Sequence, residues 1–149
     1  MEGYNFSTEI LVRFAETDAQ GIAHHASFVV WLEVARVAYL SEHAGGYLAI
    51  QAQGIEALTT SVEVRYHRAA HFDERLQIWT RCVDVRGARF RYEYAVERGI
   101  ADGTAELIAE ASTAHATVDA ATRRPTRVPA SFAEAVARAE VPAPARRPA

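Results

Sequence analysis

The stretch RFAETDAQGIAHHASFVVWLEVAR, residues 13–36, decides how this chain is read. Its first residues close a β-like run, TEILVRF at 8–14; the chain then passes Asp18, Gly21 and two histidines before an apolar segment begins. There Phe28, Trp31, Leu32, Ala35, Tyr39 and Leu40 recur every three or four residues, the period of one helix face. Polar positions are few, among them Glu33, Arg36, Ser41 and Glu42. A helix apolar around most of its circumference is expected inside the protein rather than on its surface. Ser27 is the expected N-cap, since its hydroxyl can accept a free amide, and Gly45–Gly46 are expected to end the helix.

Working outward, YLAIQAQG at 47–54 reads as a short second helix stopped by Gly54. The period then changes to two. In TSVEVRYHR, Val62, Val64 and Tyr66 alternate with Glu63, Arg65 and His67. RLQIWTRCVDV at 75–85 is rich in strand formers, and Gly87 is the expected turn. Phe90, Tyr92, Tyr94 and Val96 then alternate with charged residues. The turn GIADGT leads into a last strand, AELIAEASTAHATVD at 105–119. A proline-punctuated exit and the helical SFAEAVARA follow, and PAPARRPA is expected to be a disordered tail.

The order strand, long helix, four strands with short turns implies an α+β architecture: one antiparallel five-stranded sheet lying over a central apolar helix. Residues 1–130 are the expected domain, with residues 131–149 a short C-terminal helix and tail. A sheet this small leaves edges and an uncovered flank, so a homodimer or homotetramer is expected.

Composition narrows the function classes. Half of the 149 residues are apolar and 23% are charged, as in ordinary globular proteins. The net charge is −3 and all sixteen cations are arginines without a basic run, so no nucleic-acid partner is expected. Cys82 is the single cysteine, which excludes an internal disulfide. No leader-like segment and no run of eighteen apolar residues occurs, so a cytoplasmic protein with no membrane span is expected.

Asp18 carries two readings. An aspartate before a glycine turn is commonly an Asx-turn residue. Here it also precedes a helix start, where several amides lack intrahelical acceptors and the macrodipole adds positive charge. Gly21 would let backbone amides approach a bound group. A carboxylate beside such an anion site could attack a carbonyl or activate a water.

VRFAETDAQGIAHHASFVVWLEVARVAYL resembles the signature of hotdog-fold acyl-CoA thioesterases of the 4-hydroxybenzoyl-CoA thioesterase type. It is particularly similar to the Tol–Pal-associated acyl-CoA thioesterase branch, where strand, "TD", "G", "HAxY" and "ExAR" follow in this order. VRYHRAAHFDERLQIWTR and STAHATVDAATRRPTRVP extend the likeness to about residue 130. The resemblance implies a hotdog fold and hydrolysis of an acyl-CoA or acyl-carrier-protein thioester without metal or cofactor. It puts the catalytic carboxylate on Asp18, as nucleophile or general base, and the carbonyl-polarising amide on His25. Gly21 and Ile22 match the turn that brings these together. Phe14 and Phe28 stand where the branch often has tyrosines, so two hydroxyls are missing near the acyl site. Arg86 and Arg89, flanking the Gly87 turn, resemble arginines that hold coenzyme A phosphates, although a solvated hairpin end would look the same.

His24 is expected to face solvent or pack on the turn. His67, His71 and Asp73 in HRAAHFD have no evident reason to converge on a metal, and Cys82 reads as a small buried residue. Two rival functions stand beside thioester hydrolysis. One is a hotdog hydratase or dehydratase, whose aspartate–asparagine–proline–histidine run DAQGIAHH does not match. The other is a non-catalytic acyl-thioester-binding protein.

Overall fold

The computed structural model describes residues 1–99 and 103–141. The chain runs β1 (Phe6–Leu11), α1 (His25–His43), α2 (Tyr47–Gln51), β2 (Ile55–Tyr66), β3 (Arg75–Arg86), β4 (Arg89–Gly99), β5 (Ala105–Asp119) and α3 (Ala130–Ala139). The five strands make one antiparallel sheet in the order β1-β3-β4-β5-β2, with α1 packed on it. This is the expected α+β, hotdog arrangement. Parts of GIADGT and all of PAPARRPA lie outside the described residues.

Pairing between consecutive strands holds for β3–β4 and β4–β5 only. β2 pairs with β5, and β3 takes β1 as its other neighbour, so residues 67–74 carry the chain from one edge of the sheet toward the other. A period-two pattern tells which residues share a face; it does not tell which strand lies alongside.

β1 ends at Leu11, earlier than expected, because the next residues are drawn into a 3-10 turn at Phe14–Glu16. Both Glu16 carboxylate oxygens hold Arg13 there, Oε2 accepting the backbone amide at 2.8 Å and Oε1 the guanidinium at 2.9 Å. The helix cap is also displaced from its expected place. α1 starts at His25, His24 is its N-cap, and the Ser27 hydroxyl instead donates to the Glu16 carbonyl at 3.1 Å.

Phe28, Trp31, Leu32, Ala35 and Tyr39 form the buried stripe of α1. The opposite side is not covered: Val29, Val30, Val34 and Val37 are 42–52% exposed. The expectation of a helix buried all round is therefore corrected for the single chain. Strands β1 and β3 and helices α2 and α3 pack against α1, and among the described residues nothing covers its valine side.

α3, the short helix expected beyond residue 130, packs into the core. Phe132 and Val136 join the central cluster, and the Phe132 ring lies 5.1 Å from that of Phe90. Just beyond α3, Glu140 Oε1 accepts the Tyr39 hydroxyl at 2.6 Å and the Cys82 amide at 2.9 Å. β1 has run out by then, its last pair being Phe6 with Thr80, so the Glu140 carboxylate serves an amide that the sheet edge leaves open. Cys82 is buried and burial pushes its thiol up, as expected of a packing residue rather than a nucleophile.

Candidate active site

Asp18 sits in a short loop whose stem is paired backbone. Thr17 bridges Ala23, the Asp18 amide donates to the Ile22 carbonyl at 2.9 Å, and the His24 amide donates to the Glu16 carbonyl at 2.7 Å. The stem returns the chain directly into α1, so Asp18 and the helix start occupy one end of the molecule. A second layer fixes this end to the sheet: the Ala23 amide donates to the Ala70 carbonyl at 2.8 Å, and Ile22 bridges His71.

Within the loop Asp18 does form an Asx turn, Oδ1 accepting the Gln20 amide at 2.8 Å. Oδ2 has no hydrogen-bond partner among the described residues, and the side chain is half-buried. One oxygen is structural while the other is left open. Gly21 adopts φ +77°, a left-handed conformation that side chains rarely take, and donates to the Asp18 carbonyl at 2.9 Å. A Cβ there would meet nothing within 4 Å, so within the chain the glycine serves backbone conformation, not close approach.

The first amides of α1 are not equivalent. His24 donates to Glu16, Ala26 donates to His24 Nδ1 at 3.1 Å, and Ser27 donates to the His24 carbonyl at 2.9 Å. Among the described residues the His25 N–H alone in this set has no acceptor. It lies at the positive end of a nineteen-residue helix. The imidazoles of His24 and His25 are exposed and stack at 4.1 Å, so His24 both caps the helix and packs on the turn.

The other expected residues scatter. Phe28 is buried against Trp31 and Tyr66, with ring centroids at 4.7 and 5.0 Å. Phe14 is 77% exposed, its ring edge-on to that of Phe72 at 5.7 Å. The structure does not bring Arg86 and Arg89 to Asp18 within one chain. They pair across the far end of β3, twelve residues or roughly 36 Å of strand from the end where the Asp18 loop docks. His67 turns to Glu110 at 2.9 Å and His71 to Glu74 at 3.5 Å, so those histidines serve separate carboxylates.

Two residues at this end escaped the sequence reading. Glu16 is 8% exposed and also takes the Trp31 indole N–H at 3.0 Å. Burial raises its pKa, but the Arg13 side-chain and backbone bonds and the Trp31 bond outweigh that, leaving the carboxyl below its ordinary value. Its signal was the Arg13-to-Glu16 spacing of three. Tyr66, at the end of β2, donates its hydroxyl to the His25 carbonyl at 3.2 Å. Its place at the end of the Val62–Val64–Tyr66 face marked it as a strand residue and nothing more.

The Thioesterase-like superfamily matches residues 12–136. The chain belongs to that superfamily. It is 32% identical to YneP of Bacillus subtilis over 88 residues, 59% of this chain and 64% of that protein. It is also 32% identical to the acyl-CoA thioester hydrolase YbgC of Escherichia coli O6:H1 over 82 residues, 55% of this chain and 61% of that one. The chain thus matches under two thirds of the length of either relative. Among solved structures, the DHNA-CoA thioesterase from Staphylococcus aureus superposes with a TM-score of 0.79 at 29% identity, covering 89% of this chain and 88% of that one. Among the described residues, no helix of this superfamily member is long and apolar enough to cross a membrane.

Proposed function

We propose that this chain hydrolyses an acyl-CoA thioester, adding water across the C–S bond to give a carboxylate and the free thiol of coenzyme A. The observation that carries this reading is the pairing of one unpartnered amide with one open carboxylate oxygen at the same helix end. The His25 N–H donates to the thioester oxygen as negative charge grows there, and Asp18 acts on the carbonyl carbon or on the attacking water. In the first course a mixed anhydride forms with loss of the thiolate, and water then cleaves it. In the second Asp18 takes a proton from the water and returns it to the leaving sulfur. The names of YbgC and of the Staphylococcus aureus structure support the thioester class. The "TD", "G", "HAxF" and "ExAR" order supports a place nearest the Tol–Pal-associated branch. The exposed α1 valines and the edge position of β2 support a homodimer, in which arginines distant within one chain can serve the partner's site.

Asp18→Asn and Asp18→Ala separate chemistry from turn-making. Asparagine keeps an oxygen for the Gln20 amide but loses the charge; alanine loses both. Measured as free thiol released from a panel of acyl-CoAs, Asp18→Asn is expected to lose about 10²- to 10⁴-fold in kcat with little change in KM and in Tm. Wild-type turnover by Asp18→Asn, with deamidation excluded by mass, would leave Asp18 as a turn residue only.

A further inference from the structure

Remote from the Asp18 turn lies a cavity of about 420 Å³ between α1, α2, α3 and the β2–β5–β4 side of the sheet. Its volume falls within the roughly 300–1,000 Å³ common for small-molecule sites. Val37, Leu40, Ile50, Phe90 and Phe132 make its walls apolar. Arg36, Tyr92 and His115 make one part of it polar.

Two of these groups, Arg36 and Tyr92, are poorly matched by the protein itself, whereas the His115 ring already pairs with Thr113 at 2.8 Å and Thr59 at 3.4 Å. The Arg36 side chain is only 16% exposed, yet among the described residues its nearest ion-pair partner, Glu33, stands at 3.9 Å, and its one hydrogen bond, to the Tyr94 hydroxyl, is stretched to 3.5 Å. A guanidinium carries five donors, and burying it without close acceptors is costly. Tyr92 is 2% exposed, and its hydroxyl has no hydrogen-bond partner among the described residues. It lies within the field of Arg36. His115 completes the cluster; burial and the Arg36 charge keep its imidazole neutral, with a folded pKa near 4. Beside apolar walls the protein supplies a buried hydroxyl donor without a partner and a cation whose carboxylate neighbour, Glu33, also lines the cavity but stands 3.9 Å away and is 71% exposed.

We infer that this cavity is a binding site for a carboxylic acid with an apolar body, the carboxylate seated on Arg36 and the Tyr92 hydroxyl. It is separate from the Asp18 turn within the chain. Arg36 lies eleven residues beyond His25, roughly 16 Å along the helix, and the buried side chains of Phe28, Trp31 and Leu32 fill the interval. The "ExAR" pair Glu33 and Arg36, unused by the hydrolytic reading, thereby gains a role: Glu33, 71% exposed, is the competing anion that the ligand displaces.

Titration with octanoate, benzoate and the uncharged octan-1-ol, followed by calorimetry and amide NMR, tests the site without any activity. Octanoate is expected to bind at least tenfold more tightly than octan-1-ol and to perturb Arg36, Tyr92 and His115. Arg36→Gln is expected to weaken octanoate at least tenfold and Arg36→Lys less. Glu33→Gln is expected to tighten it. Tyr92→Phe removes a hydroxyl with no partner, so it is expected to keep or raise Tm while weakening octanoate severalfold, which no folding defect can mimic. Asp18→Asn is expected to bind octanoate as wild type does, whether or not Asp18 proves catalytic. Equal affinity for octanoate and octan-1-ol, full affinity in both Arg36→Gln and Tyr92→Phe, or loss of binding in Asp18→Asn would each overturn the inference.

Discussion

Glu16 Oε1 accepts the indole N–H of Trp31 at 3.0 Å, and this bond ties the turn before Asp18 to the second turn of α1. Trp31 is 2% exposed, so its N–H has no recourse to water if the carboxylate is removed. The carbonyl of the same Glu16 holds the His24 amide and the Ser27 hydroxyl. One residue thus fastens the Asp18 loop to the helix start through both side chain and backbone.

Glu16→Ala is accordingly expected to cost about 1–3 kcal/mol, the penalty for a buried donor left without its acceptor. The exposed Arg13 half of the network adds little. Glu16→Gln keeps a carbonyl for the indole and is expected to recover most of that stability in urea unfolding. Thiol release should fall more in Glu16→Ala than in Glu16→Gln if the Asp18 stem loosens.

His25→Pro addresses the amide rather than the side chain. His25 is the first residue of α1, a position where proline's fixed φ suits the helix and the missing N–H removes no helical bond. The preceding His24 already has φ −63° and ψ 138°, which proline favours in its predecessor. The fold is expected to persist while kcat drops by about 10²- to 10³-fold, the usual effect of deleting one oxyanion donor. His25→Ala keeps the amide and is expected to change kcat only modestly. Similar rates in the proline and alanine variants would remove the amide from the mechanism.

How much of this was legible in the sequence follows from the range of each interaction. The α1 period, the β5 limits at 105–119 and the strand–turn–helix run around Asp18 are local patterns, and they reappear in the structure. Glu16 was passed over because its importance comes from burial beneath Trp31, fifteen residues away. Ser27 reads as a cap by residue type, but the Glu16 carbonyl claims its hydroxyl and the imidazole of His24 takes the role. The valines of α1 look the same in sequence whether they face the sheet or stand open. The Arg36–Tyr92–His115 cluster joins three elements, and no spacing along the chain announces it.

Acid lability should appear in two windows. His115 has a folded pKa of about 4 against an ordinary 6.5. Between those values the unfolded chain takes up a proton that the folded chain refuses. Stability present above pH 6.5 is therefore lost as pH falls toward 4, by a total on the order of 3 kcal/mol. Glu16 acts lower down. Its carboxyl is depressed below the ordinary 4.5, so its contribution is present above that pH and disappears as pH falls through the folded value. Denaturant midpoints measured from pH 7 to 3 are expected to fall in both ranges. His115→Gln, which keeps a partner for Thr113, should flatten the upper one; an unchanged slope there would mean that His115 protonates freely in the folded state.

The last prediction concerns the open face. β2 is an edge strand of twelve residues, and Leu58, Val62 and Tyr66 on it are 39–48% exposed. A long apolar edge with free backbone groups is the feature that chains cover by pairing. The uncovered α1 valines add apolar surface that the chain leaves in water, consistent with a subunit interface. Light scattering on wild-type protein is expected to give a multiple of the 16.4 kDa chain mass. Val62→Lys and Val34→Glu each place a charge on a solvent-exposed position, so the subunit fold should tolerate them while association is lost. If Arg86 and Arg89 serve the partner's site, such monomers should also lose affinity for the coenzyme A moiety. Wild-type protein that stays monomeric at all concentrations would instead make Arg86 and Arg89 a solvated hairpin end.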